Sequence, residues 1–206
     1  MRSNDRTFAD TARRKQITLA AIEVIAEIGY AQASIRKIAE RVGVAMSVVL
    51  YHFANKDDLV REIVHHAFRE AIDAIVPALD KERTATGKLR AYIVANADFM
   101  LSHRTQYTAV FDIGMSYRTA SGDRMNAIAL DPDLLADIGR LDLATILRQG
   151  QESGEFRDFD VAHMTSAING AVRNGPLLEL AIDPNYDMDG YAGELVTTFD
   201  LATRRG

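Results

Sequence analysis

The 206-residue chain contains no cysteine. That excludes disulfides and thiolate metal sites and fits a reducing compartment. No uninterrupted apolar run approaches the ~20 residues needed to span a bilayer, and the opening MRSNDRTFADTARRKQ lacks the apolar segment of an export signal. The expectation is a soluble cytoplasmic protein with no membrane partner. Sustained period-two alternation is missing, which argues against half-buried strands, and there is no internal repeat or low-complexity tract. Local catalytic signatures are missing too: no Gly-rich phosphate loop, no nucleophile elbow, no Cys-His pair. His65 and His66 are adjacent, hence about 100° apart on a helix, and do not form the i,i+4 pair of a helical zinc site. No metal, cofactor or catalytic residue is expected.

The composition is 48% hydrophobic, enough for a sizeable core. Net charge is −5, unevenly placed: residues 1–60 carry nine Lys/Arg against seven Asp/Glu, and the remainder is acidic. A mildly basic end on an acidic body permits one phosphate-facing segment without making the whole protein bind polyanions.

Helical periodicity dominates. Ile17, Ala21, Val24 and Ile28 share a face over 11–28, and Gly29 stops that helix. Ser34 is an N-cap for a second helix to about Val42, Gly43 breaks it, and a third follows from about Ala45 to Phe53. Asn55 followed by Lys56-Asp57-Asp58 caps a fourth helix that runs to about Leu79. This helix carries two apolar stripes, one through Leu59, Ile63, Ala67 and Ala74, the other through Val60, Val64, Phe68, Ile72, Ile75 and Leu79, so it is expected to touch two bodies. Further helices are expected at about 86–103, 105–116, 132–152, 160–181 and 188–204. A loop covers Arg118–Asp131, and turns cover Gly154–Phe159 and Asp183–Asn185. The fold class is all-α with about nine helices.

Segment 34–53 meets the steric demands of a helix-turn-helix, two short helices crossing through a tight turn. Ile38, Val42, Val44 and Val49 supply the core, Ala39 the close approach, and Gly43 the positive φ. Any helical hairpin needs a turn and a core, so spacing alone leaves DNA binding and a structural hairpin both open. SIRKIAERVGV followed by YHFANKDDL resembles the N-terminal domain of tetracycline-repressor-type (TetR-family) regulators over about residues 13–62. The remaining two thirds is similar only in outline.

The resemblance implies an N-terminal helix-turn-helix domain over 1–55 and a larger ligand-binding and dimerisation domain over 56–206. In such a dimer the start of the recognition helix enters the major groove, and its far end meets phosphates. The DNA-binding candidates are Ser34, Arg36, Ala45, Met46, Ser47, Tyr51, His52 and Lys56. Tyr51 and His52 each offer a donor to a phosphate oxygen, or are plain surface or core aromatics, and Lys56 adds charge at a helix start. Ala45-Met46-Ser47-Val48 suits thymine methyls rather than bidentate base contacts, so Arg36 is the candidate for guanine, with a solvated or phosphate-binding arginine as the alternative. Arg13, Arg14 and Lys15 are either backbone clamps or a solvated helix start. Where the family often carries tyrosine, this chain has Leu50.

The second domain is expected to hold a small-molecule effector. Candidates that combine pliable apolar surface with polar handles are Phe99, Met100, His103, Phe111, Met115, Tyr117, Asn169, Arg173 and Asn174. Arg173 suits either an anionic ligand or a salt bridge to an acid such as Glu179. The resemblance implies that the last two helices form a two-fold interface through Leu177, Leu178, Leu195, Val196 and Phe199; closing the monomer core is the alternative role for the same residues. The implied function is a homodimeric repressor, not an enzyme, released from a palindromic double-stranded operator by its ligand. Two alternatives stand beside it: a helical ligand-binding bundle without DNA binding, and an all-helical enzyme with dispersed catalytic residues.

Overall fold

The computed structural model describes residues 2–119, 122 and 130–205, with side chains from Ala9 onward. Among these residues the elements are helices α1 (Arg2–Ile28), α2 (Ile35–Val42), α3 (Met46–His52), α4 (Lys56–Asp80), α5 (Ala85–Ser102), α6 (Arg104–Ser116), α7 (Pro132–Gly139), α8 (Leu143–Glu152) and α9 (Val161–Asn169). A π turn (Gly170–Asn174), α10 (Gly175–Ile182) and α11 (Met188–Thr203) complete the order. The chain is all-α, and the described residues contain no strand beyond an isolated bridge between Phe156 and Arg204. No described helix is long and apolar enough to cross a membrane.

Local signals explain the first boundaries. Ser34 Oγ accepts from the Lys37 N–H at 3.3 Å and starts α2. At its end Gly43 has φ +75°, while the Gly43 and Val44 N–H groups return to the carbonyls of Glu40 and Ala39. A Cβ at Gly43 would meet no atom within 4 Å, so the demand for glycine is conformational, not steric. Asn55 Oδ1 accepts from the Asp58 N–H at 2.8 Å and starts α4.

Two expected helices are each interrupted. The helix expected over 132–152 divides into α7 and α8, because Asp142 accepts from the Ala144 N–H and the Thr145 hydroxyl and so nucleates a new helix. Leu141, buried between them, pins the break. The helix expected over 160–181 contains the π turn. Pro176 has no N–H to return to the carbonyl four residues earlier, and the Gly175 N–H instead reaches Gly170 O, one residue further back. Of the loop expected over 118–131, residues 120, 121 and 123–129 lie outside the described residues.

Packing divides the chain into two units, Met1–Phe68 with Arg104–Pro132, and Arg69–His103 with Asp133–Gly206. By packing, the N-terminal head therefore includes the opening of α4 and all of α6 as well as α1–α3. The first unit closes over Ile17, Ala21 and Ile25 of α1, Ile38 and Ala39 of α2, Val49, Phe53, Leu59 and Ile63, with Ala109 and Ile113 of α6. In the second, α5 packs against α8, α11 and the π turn. Its buried residues include Leu89, Ile93, Met100, Leu143, Leu147, Ile168, Val172 and Phe199.

Candidate nucleic-acid interface

A surface that reads DNA needs a rigid frame behind exposed side chains. The frame of the first unit is built at the far end of α3. Phe53 is fully buried, the Arg14 guanidinium lies 4.2 Å from its ring centroid, and Arg14 Nη1 donates to the His52 carbonyl at 2.6 Å. Arg14 also donates from Nε to Glu62 at 2.9 Å. A cation at the carboxyl end of a helix satisfies an orphan carbonyl and complements the dipole, so Arg14 locks α3 to α1 and α4. Neither reading of Arg14 in the sequence, backbone clamp or solvated start, included this role. Its signal is the i,i+3/i+4 register of Arg14 with Ile17 and Thr18, both buried. Arg41 similarly binds Glu23 and Glu27, fastening α2 to α1; these hydrogen bonds hold Glu27 below the usual carboxylate range.

On that frame Arg36, Ala45, Met46, Ser47 and Tyr51 are exposed, with Arg36 at 80% and Tyr51 at 71%. Arg36 Nε donates to Glu40 at 2.9 Å on the same helix face. Ser34 is exposed but its hydroxyl oxygen serves the α2 cap. His52 is half-buried, with its ring edge-on to that of Tyr51 at 5.0 Å. Leu50 is exposed.

Lys56 is placed differently from a phosphate-facing lysine. It is half-buried, Nζ donates to the Tyr30 carbonyl at 2.7 Å, and the ammonium lies 3.8 Å from the Tyr30 ring centroid. Burial lowers its pKa, with Asp57 opposing that shift. Tyr30 is in turn held by Asp112, which accepts from its N–H, and by the Tyr117 ring packed edge-on at 5.9 Å. The turn after α1 is thus tied to α6 and to the start of α4.

The effector candidates separate between the units. Phe111, Met115 and Tyr117 belong to the first: Phe111 and Met115 are exposed, and Tyr117 is a core residue. Phe99, Met100, His103, Asn169, Arg173 and Asn174 belong to the second. There Met100 is fully buried, and Phe99 stacks on His103 at 4.3 Å. His103 Nε2 lies 3.5 Å from Glu70. Asn174, at the end of the π turn, is exposed. Asn169 and Arg173 meet at a residue the sequence reading passed over, Tyr92: its hydroxyl donates to Asn169 Oδ1 at 2.7 Å and accepts from Arg173 Nη2 at 2.8 Å. Tyr92 is buried, which raises its pKa, while Arg173 opposes the rise. The spacing of Tyr92 and Asn96, i and i+4 on one face of α5, was the available signal.

Of the interface candidates, Leu178 is 66% exposed, Leu195 and Val196 are half-buried, and Leu177 and Phe199 are buried in the second unit. Two apolar residues not singled out in the sequence are also exposed there, Ile182 at 82% and Leu201 at 55%. Ile182 follows Leu178 by four residues and so extends its stripe on α10.

Residues 17–63 match the family model described as bacterial regulatory proteins, tetR family. The chain is 27% identical over 175 residues to the fatty acid metabolism regulator protein of Bacillus subtilis (strain 168), covering 84% of this chain and 86% of that protein. Its fold is similar to the crystal structure of the transcriptional regulator FadR from Bacillus subtilis in complex with stearoyl-CoA, with a TM-score of 0.73 and 24% identity over 89% of this chain and 95% of that one. A regulator from Saccharomonospora viridis in complex with choline aligns with a TM-score of 0.70 and 19% identity, over 95% of this chain and all of that one.

Proposed function

We propose that the chain is a DNA-binding transcriptional regulator of the TetR family rather than an enzyme, a cytoplasmic homodimeric repressor released from a palindromic operator by a small-molecule effector. The reading is carried by one observation: Arg36, Met46, Ser47 and Tyr51 are exposed on two short helices whose backs are locked by Phe53, Arg14 and Arg41. Exposed side chains on a fixed frame are what groove recognition requires, because ordering them on DNA then costs little entropy.

In this proposal residues 1–55 read DNA. Arg36 contacts a base, Ala45, Met46 and Ser47 face thymine methyls, and Tyr51 and His52 donate to phosphates. Ser34 caps α2 beside the backbone. Lys56 acts chiefly by holding the α4 start against Tyr30, which positions the backbone N–H groups there. Residues 56–206 hold the effector and the partner subunit. The exposed apolar residues Leu178, Ile182 and Leu201 support a two-fold contact, since an unpartnered apolar stripe favours burial. The complexes of structural neighbours with stearoyl-CoA and with choline support a small-molecule site in the larger unit. A ligand that prefers the DNA-incompetent arrangement releases the operator, and moving a 1:99 equilibrium to 99:1 takes about 5.5 kcal/mol of differential affinity.

The test is a gel shift of the purified chain against DNA flanking its own coding region, followed by footprinting and light scattering. Two protected half-sites one helical turn or a multiple apart, with a dimer in solution, are expected. A monomer at micromolar concentration, or equal retention of unrelated DNA, refutes the proposal.

A further inference from the structure

Arg173 sits on the π turn with its Nε buried and without a hydrogen-bond partner, while Nη2 is engaged by the Tyr92 hydroxyl. No carboxylate lies within salt-bridge distance of it among the described residues, and Glu179, the acid offered in the sequence, does not pair with it. Asp142, the acid nearest in influence to Tyr92, is occupied by the Ala144 N–H, the Thr145 hydroxyl and Arg148. The guanidinium is half-withdrawn from water and lies 5.9 Å from the Tyr92 ring centroid, and its desolvated Nε–H, which no carboxylate meets, is a cost that a bound anion would offset. The hydroxyl beside it is oriented already, because Tyr92 donates to Asn169. Two turns further along α5 the same face carries Phe99, buried and stacked on His103, so the polar group on this face is followed by an apolar interior.

We propose that Arg173, oriented by Tyr92 and Asn169, is the head-group site for an effector that carries an oxyanion, a carboxylate or a phosphate, on an apolar body. The proposal rests on reading the second unit as the effector domain. The planar fork of Arg173 suits an oxyanion and repels a quaternary ammonium, so an anionic amphiphile is selected over a cation such as choline.

The test titrates palmitate, palmitoyl-CoA, hexadecanol and choline separately into the full chain and into Arg173→Gln and Arg173→Lys, with binding read by calorimetry and folding by thermal melts. Wild-type protein is expected to bind palmitate or palmitoyl-CoA at least about tenfold more tightly than hexadecanol, as the loss of a charge-assisted hydrogen bond implies. Tighter palmitate identifies a carboxylate head, and tighter palmitoyl-CoA a phosphate. Arg173→Gln should erase the preference, leaving both acids near hexadecanol, and Arg173→Lys should keep part of it. Equal affinity of wild type for the acids and the alcohol, binding of choline alone, or full acid affinity in Arg173→Gln overturns the proposal. If Arg173→Gln does not fold, the wild-type comparison of acid with alcohol decides alone. DNA binding by ligand-free protein is measured in parallel: its absence in wild type refutes the regulator reading and leaves the head-group result standing.

Discussion

Replacing Arg36 with alanine separates base reading from stability, because almost nothing else depends on that side chain. Its partner Glu40 is 60% exposed and Arg36 itself 80%, so their pair contributes only about 0.3–0.5 kcal/mol to folding. Alanine is the better helix former and offsets part of that loss, leaving the fold unchanged within about 0.5 kcal/mol. A bidentate arginine–guanine contact contributes about 1–3 kcal/mol of discrimination, which is roughly 5- to 150-fold in affinity per half-site. Loss on DNA therefore exceeds loss in stability by a clear margin. Glu40→Ala is the converse: it frees Arg36 and removes a negative charge, so affinity should rise modestly on every sequence. The assay is fluorescence anisotropy with the operator recovered by gel shift and a set of single-base variants, at two salt concentrations, beside thermal melts. Arg36→Ala should lose affinity for the cognate operator and little for one base variant, which it then no longer distinguishes. Equal loss on all sequences with a flatter salt slope makes Arg36 a phosphate contact. An unchanged affinity refutes the placement of this helix face on DNA altogether.

Lys56→Met keeps the apolar stem over Tyr30 and removes the hydrogen bond to its carbonyl, so it should lower stability by about 1 kcal/mol and leave the salt slope of DNA binding unchanged. A slope smaller by about one per protomer with no change in melting would place the ammonium on a phosphate. Gly150→Ala would drive a Cβ into the Phe156 ring, which is buried and anchored by its N–H to Gly150 O. Overpacking of about 1–3 kcal/mol should outweigh the ~1 kcal/mol gain in helix propensity, and a raised urea midpoint would show that the ring has room to move. Glu155 accepts from the Thr86 and Ala85 N–H groups at the start of α5, each at 3.0 Å, and these bonds hold its carboxyl below the ordinary range. Its contribution is present above the ordinary glutamate pKa of about 4.3 and is lost as pH falls toward the lower folded value. Glu155→Gln should therefore melt below wild type at neutral pH and converge with it in acid; parallel curves across that range would exclude the linkage.

The features legible in the sequence share one property: the physics that fixes them is local. Ser34 and Asn55 cap their own next turn, and Gly43 bends its own backbone, so a window of a few residues contains both cause and effect. The fate of a long polar side chain is decided elsewhere. Lys56 reads as a helix-start cation until Tyr30, 26 residues away, presents a carbonyl and a ring to it, and Arg14 reads as a DNA-backbone clamp or as solvated until the end of α3 reaches it 38 residues later. Periodicity fails for a related reason at 160–181, where Pro176 leaves a carbonyl unanswered and the chain answers by widening a turn. One added residue in that turn changes the helix face of everything beyond it relative to an unbroken helix. Arg173 lies within the turn and Asn174 at its end, so their pairing in sequence does not survive folding: one meets Tyr92 and the other faces solvent. Arg173 Nε is buried without a hydrogen-bond partner on that turn, and a segment that breaks its own period beside an unpaired donor is where a ligand should be sought first.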